Sequence, residues 1–178
     1  DRLRSRGLGD VYKRQDLLRF FNKDLRNAKY VCPADLKAEH DQYVRRKMEY
    51  LRKQKEQERI REAMRHEQEY RNAKGHFFGL DLTDGKIHVR VLESIEQFRQ
   101  EGEAMHHCVF TNEYYRRDDS LILSASIDGQ RLETVEVSLS RLEVAQSRGV
   151  CNKDSPYHKQ IIKLVQHNMH LIENRLTA

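Results

Sequence analysis

The chain has 178 residues, 34% charged and 38% hydrophobic with no Trp, so it has the length of about one domain and the material for a modest core. No segment approaches the roughly 20 apolar residues that a helix needs to cross a bilayer, which points away from a membrane protein. Cys32, Cys108 and Cys151 are an odd number without paired spacing, which argues against a disulfide scaffold and fits reduced thiols in a cytoplasm.

At the N-terminus, Asp10-Val11-Tyr12-Lys13-Arg14-Gln15 resembles the translated mosaic-end adapter of transposase-built sequencing libraries. Residues 1–15 are therefore read as a sequencing-adapter artefact, set aside before fold reasoning. They distort the charge, because they carry five basic and two acidic groups of the 33 and 28 that make the chain +5. Residues 16–75 hold 16 basic and 11 acidic groups, and residues 76–178 hold 12 and 15. Attraction to nucleic acid, where it exists, belongs to the first of these regions.

Residues 16–28 read as a helix with Leu17, Leu18, Phe20, Phe21 and Leu25 on an apolar face and Asp16 as cap. After Cys32-Pro33 a second helix runs to about residue 72 without Gly or Pro. Its stripe of Leu36, Tyr43, Val44, Met48 and Leu51 resumes only at Ile60 and Met64, since residues 52–59 contain no apolar side chain. That gap breaks any continuous coiled-coil seam and leaves two readings, a projecting charged helix or a DNA-contacting arm.

Gly75 and Gly79 mark the passage into residues 76–178, a compact α+β part. A hairpin turns at Asp84-Gly85, and a helix capped by Ser94 with Gln97 is expected to stop at Gly102. Residues 105–117 are read as another helix, with Cys108 in its first turns. A second hairpin turns at Asp128-Gly129, a strand follows over 142–148 with Leu142, Val144, Gln146 and Arg148 on one side, and a terminal helix starts after Pro156. The expected architecture is α+β: N-terminal helices including one long charged helix, then an antiparallel or mixed sheet of about five strands backed by helices, ending in a C-terminal helix.

Two polar clusters stand out, Met105-His106-His107-Cys108-Val109 and Gln146-Ser147-Arg148-Gly149-Val150-Cys151-Asn152. Cys108 beside His107 suits a cysteine nucleophile, but neighbours on a helix point about 100° apart. His107 is then badly placed as the base, and His158 is the nearest substitute; the competing reading makes Cys108 a core residue. Zinc binding by His106, His107, Cys108 and Cys151 is disfavoured, because three consecutive residues rarely converge on one ion and no Cys-x-x-Cys or His-x-x-x-His occurs. Gln146, Arg148, Gly149 and Asn152 suit either a pocket, with the Arg148 fork on a phosphate or carboxylate, or a polar network fixing the loop. Glu136 lies with Thr134 and Ser138 opposite Val135 and Val137; it is solvent-facing or, if turned to the second cluster, the best general base in the chain. No phosphate-cradling glycine loop or nucleophile elbow occurs, so no cofactor is expected.

Glu101-Gly102, His107-Cys108-Val109, Tyr114-Tyr115, Thr134 with Glu136, Gln146, Arg148-Gly149 and Asn152 together resemble the PcfJ-like family, named after a protein of conjugative plasmids. The resemblance covers about residues 30–176, including Pro33 followed by His40-Asp41. Phe110, Asn112 and the charged stretch 52–59 depart from the family's pattern. It implies a bacterial protein on or near a mobile genetic element and carries no stated reaction.

On this basis the chain is expected to be a cytoplasmic accessory of a conjugative or integrative element. Its polar pocket would have His107, Cys108, Glu136 and His158 as catalytic candidates and Gln146, Arg148, Gly149, Asn152 and Tyr115 as ligand contacts. Two alternatives stand beside it. One is a non-enzymatic module contacting DNA or the conjugation machinery through residues 16–75, and the other is a cysteine-dependent enzyme.

Overall fold

The computed structural model describes residues 14–177, so most of the segment read as adapter-derived lies outside the described residues. The chain divides into two compact units between Arg61 and Glu62.

In the first unit, α1 covers residues 14–20, α2 is Ala28–Val31, and α3, Leu36–Met64, begins here and runs past the division. Helix α1 stops earlier than the apolar pattern predicts. Asn22 takes a left-handed conformation (φ 52°), Lys23 N–H donates to the Leu18 carbonyl at 2.8 Å and Asn22 N–H to the Arg19 carbonyl at 2.9 Å. These two bonds are a Schellman closure, which ends the helix although apolar residues continue to Leu25. Leu17, Leu18 and Tyr43 form a small core, with Phe21, Leu25, Tyr30 and Val44 packed on it. Arg14 and Gln15 belong to α1, and the buried Arg14 guanidinium donates to the Tyr30 carbonyl at 2.6 Å. Residues 52–59 of α3 are almost wholly exposed, and ion pairs such as Glu49–Lys53 (2.9 Å) stand where a seam would need apolar contacts.

The second unit is built on five antiparallel strands in the order of the chain: β1 Asp81–Thr83, β2 His88–Val91, β3 Ser120–Ile127, β4 Gln130–Ser138 and β5 Glu143–Arg148. The sheet expected as antiparallel or mixed is therefore antiparallel throughout. Asp128 (φ 48°) and Gly129 (φ 79°) make the left-handed pair that a two-residue hairpin needs. Helix α4, Glu67–Lys74, belongs to this unit: the buried Tyr70 hydroxyl donates to the Leu92 carbonyl.

Alternation along β3 and β4 gives the sheet two faces. Leu121, Leu123, Val135 and Val137 join the main core, closed by Ile161, Leu164 and Val165 of α6, His158–His167, and Ile172 of α7, Met169–Leu176. Ser124, Thr134 and Glu136 point the other way, where α5, Ile95–Met105, packs. Ser94 Oγ caps α5 by accepting from Gln97 N–H at 3.2 Å. The Gln97 side chain reaches back to Glu93 N–H, one residue before the position of a standard capping box.

Two sequence readings fail around α5. The helix passes through Gly102 and ends at Met105, with His106 left-handed at φ 52°. Residues 107–113 are turns rather than a helix, followed by a short 3-10 turn, Tyr114–Arg116. Gly102 serves close approach instead of termination: a Cβ there would sit 3.2 Å from the His107 carbonyl oxygen, and His107 N–H donates back to the Gly102 carbonyl. The chain can therefore fold tightly over α5 immediately after it ends. Among the described residues no helix is long and apolar enough to cross a membrane.

Candidate functional site

The face of β4 that carries Thr134 and Glu136 is only partly covered by α5, and the remainder opens into a cleft of about 250 Å³. The turn after α5 supplies His107, Cys108, Asn112 and Tyr114 on one side. Gln146 and Arg148 of β5 and Asn152 of the next turn supply the other, over a floor of Val109 and Ile122. Two stretches some forty residues apart in sequence thus meet on one concave surface.

A bulge makes this possible. Val137 pairs with Val144 but Glu136 pairs with Gln146, so Ala145 is an extra residue in β5. Val144 packs against the core while Gln146, two positions later, faces the cleft. Simple alternation had placed these two side chains together, and the bulge separates them.

The polar groups of the cleft are held by hydrogen bonds. Glu136, with 12% of its side chain exposed, accepts from Ser120 Oγ at 2.5 Å, from Gln146 Nε2 at 2.6 Å and from Arg117 at 3.4 Å. Gln146 Nε2 also donates to the Tyr114 hydroxyl at 3.2 Å, and the Arg117 guanidinium lies 3.5 Å over the Tyr114 ring. His107 Nε2 is 2.8 Å from Thr134 Oγ1, which in turn donates to the fully buried Glu101 at 2.6 Å. Burial holds the His107 imidazole below its ordinary pKa of 6.5, against the opposing charge of Glu101, so the ring is neutral at physiological pH.

The remaining candidates sort clearly. Cys108 is exposed, which rules out the core reading, and it lies in a turn rather than in the first turns of a helix. Arg148 lines the cleft and spends one of its five N–H groups on Asp154, at 2.9 Å. Tyr115 is a core residue at 6% exposure, edge-on to Phe98 at 5.7 Å, and its neighbour Tyr114 lines the cleft in its place. Gly149 does not line it either. An added Cβ would lie 2.7 Å from the Lys153 carbonyl oxygen, so Gly149 permits the tight turn that brings Asn152 (φ 60°) round.

His158 is also misplaced for work beside Cys108. It sits at the start of α6 on the core side of the sheet, with Nδ1 2.9 Å from Glu133. Glu133 was missed in the sequence, yet it is fully buried and also accepts from Ser147 Oγ and from Ser155 N–H at 2.7 Å. The signal was present: Glu133 shares the register of Val135 and Val137, where a carboxylate must be buried and paired. Asn112, where the sequence departs from the family's pattern, lines the cleft. Among the described residues no group of three or more His, Cys, Asp or Glu is arranged to hold a metal ion.

Comparison with known proteins adds one finding. The family model described as PcfJ-like protein matches residues 14–162, which take in every residue of the cleft. No curated protein and no solved structure matches the chain.

Proposed function

This chain belongs to the PcfJ-like family, and from that premise we propose that it is an accessory of a bacterial conjugative or integrative element that works by holding a small polar ligand in the cleft. The observation that carries the reading is the convergence of His107, Cys108, Gln146, Arg148 and Asn152 on one concave surface. These polar groups surround open volume, as a ligand site requires. At about 250 Å³ the cleft lies below the range of drug-sized pockets, roughly 300 to 1,000 Å³, and suits a ligand with few heavy atoms. Three exposed, unbridged thiols fit action in the cytoplasm.

The test is transfer frequency in a mating assay, with Gln146→Ala and Asn152→Ala introduced into the gene in a host carrying the element. Loss of transfer with folded protein at the parental level supports the reading. Parental transfer in both variants refutes it.

A contact of the first unit with DNA or with the conjugation machinery is a second proposal. It rests on α3, where Met48, Tyr50 and Leu51 are 66%, 48% and 45% exposed beside a run of basic side chains. Reversing Arg52 and Lys55 to Glu should weaken DNA retention and lower its salt dependence, whereas Arg148→Ala should leave retention unchanged.

A further inference from the structure

We infer that Glu101 and Thr134 are positioning residues that fix the tautomer of His107 so that its Nδ1 is a hydrogen-bond acceptor, and that the cleft takes a small neutral ligand donating an N–H or O–H. The inference rests on the cleft being a ligand site and adds the class of ligand.

It follows from counting protons. Glu101 is fully buried, and its Oε2 accepts from Arg131 Nε at 2.8 Å and from Ser124 Oγ at 2.9 Å. Paired with a guanidinium, the carboxylate acts as an acceptor only. Its Oε1 receives the single hydroxyl proton of Thr134 at 2.6 Å. Thr134 Oγ1 therefore has only a lone pair to offer His107 Nε2, 2.8 Å away, and Nε2 must carry the ring proton. In the neutral imidazole this leaves Nδ1 with its lone pair, and the residue's own backbone carbonyl, to which the ring donates only once it is protonated, does not supply a proton to it. The three residues come from α5, the turn after it and β4, so the tautomer is a product of the fold rather than of a local sequence preference.

The other charges around the cleft argue against an anionic ligand. Glu136 is a carboxylate in the lining, and the charge of Arg148 is balanced by Asp154, which takes one of its N–H groups. The lining otherwise offers amides, a tyrosine hydroxyl, a thiol and two aliphatic side chains. A phosphate would find the two nearby guanidinium charges already balanced, Arg117 by Glu136 and Arg148 by Asp154, whereas a neutral donor would meet acceptors at His107 and Glu136.

Long-range ¹H–¹⁵N correlation spectra of the imidazole report the tautomer directly. The parent should show Nε2–H at neutral pH, and Glu101→Gln should switch it. The substituted side chain would keep its carbonyl oxygen on Arg131 and Ser124 and donate its amide to Thr134. The Thr134 hydroxyl proton would then turn to Nε2, leaving the ring proton on Nδ1. Thr134→Ser should keep the parental tautomer and Thr134→Ala should lose the preference, which provides the reading if Glu101→Gln fails to fold. Inorganic phosphate at millimolar concentration should leave the cleft signals unmoved.

An Nδ1–H tautomer in the parent, or a spectrum indifferent to both Glu101→Gln and Thr134→Ala, overturns the relay. Saturable phosphate shifts overturn the ligand class. Transfer lost in Gln146→Ala without the tautomer switch sinks this inference alone, while a switch without any transfer phenotype supports the relay and sinks the functional reading of the cleft.

Discussion

Strand β4 presents a buried or nearly buried glutamate network to each of its faces, and the two have different fates. On the core side Glu133 gathers Ser147, Ser155 and His158, and the loop before α6 closes over it. On the opposite side Glu101 and Glu136 gather Thr134, Ser124, Ser120 and Gln146, and the surface beside them stays open as the cleft. Hydrogen-bonded carboxylates alone therefore do not mark a site. What distinguishes the two faces is that Glu136 itself lines the cleft, whereas Glu133 is fully buried behind Ser147 and His158, which border a separate groove of about 190 Å³.

The sharpest way to break the comparison is to remove the scaffold carboxylate. Glu133→Ala strips three donors of their acceptor in a fully buried place and should cost roughly 3 kcal/mol or more, read by urea unfolding. A cost near zero would mean that the core-side network is as dispensable for folding as the cleft is expected to be. Next in size is Gly149→Ala. Its Cβ would press on two carbonyl oxygens, at 2.7 and 3.0 Å, so the turn must shift at a cost of roughly 1 to 3 kcal/mol. Transfer should fall with it, because the same turn carries Asn152.

The smallest expected effect is on the pH dependence of stability, and it separates the faces by window. Burial alone would raise the Glu133 carboxyl, but its bonds from Ser147, Ser155 and His158 outweigh that and hold it below its ordinary 4.5. Its contribution is complete above 4.5 and is lost as the pH falls through the lowered value. His107 is also lowered, from 6.5, so the unfolded chain takes up that proton first, and this contribution begins to fade just below 6.5. In urea titrations from neutral pH downward, His107→Gln should flatten the upper part of the decline and Glu133→Gln the lower part. Identical curves for the parent and both variants would contradict the assignments.

Much of this was legible in the sequence, and the failures have physical causes. Both hairpin turns were visible as Asp-Gly pairs, and the apolar alternation of Leu121, Leu123 and Ala125 correctly named the core face of β3. The two clusters were visible as residue types that are costly to place without partners. Periodicity could not show that the turn after α5 leaves the helix at His106, because Gly102 reads as a stop when only chain direction is considered and as a close-contact residue only when His107 is folded over it. The bulge at Ala145 is invisible to strict alternation, and so Val144 and Gln146 were assigned to one face. Chemistry alone singles out His158, and its Glu133 partner shows which side of the sheet it serves.

The most direct test of the central claim compares function per folded molecule on the two faces. Cys108→Ser, Gln146→Ala and Asn152→Ala should each unfold within about 1 kcal/mol of the parent while losing transfer in a mating assay. Glu133→Gln should lose stability, with transfer falling only in proportion to the folded fraction. If the cleft variants instead lose several kcal/mol and their transfer tracks folded protein as it does for Glu133→Gln, both faces are scaffold and the cleft is not a site.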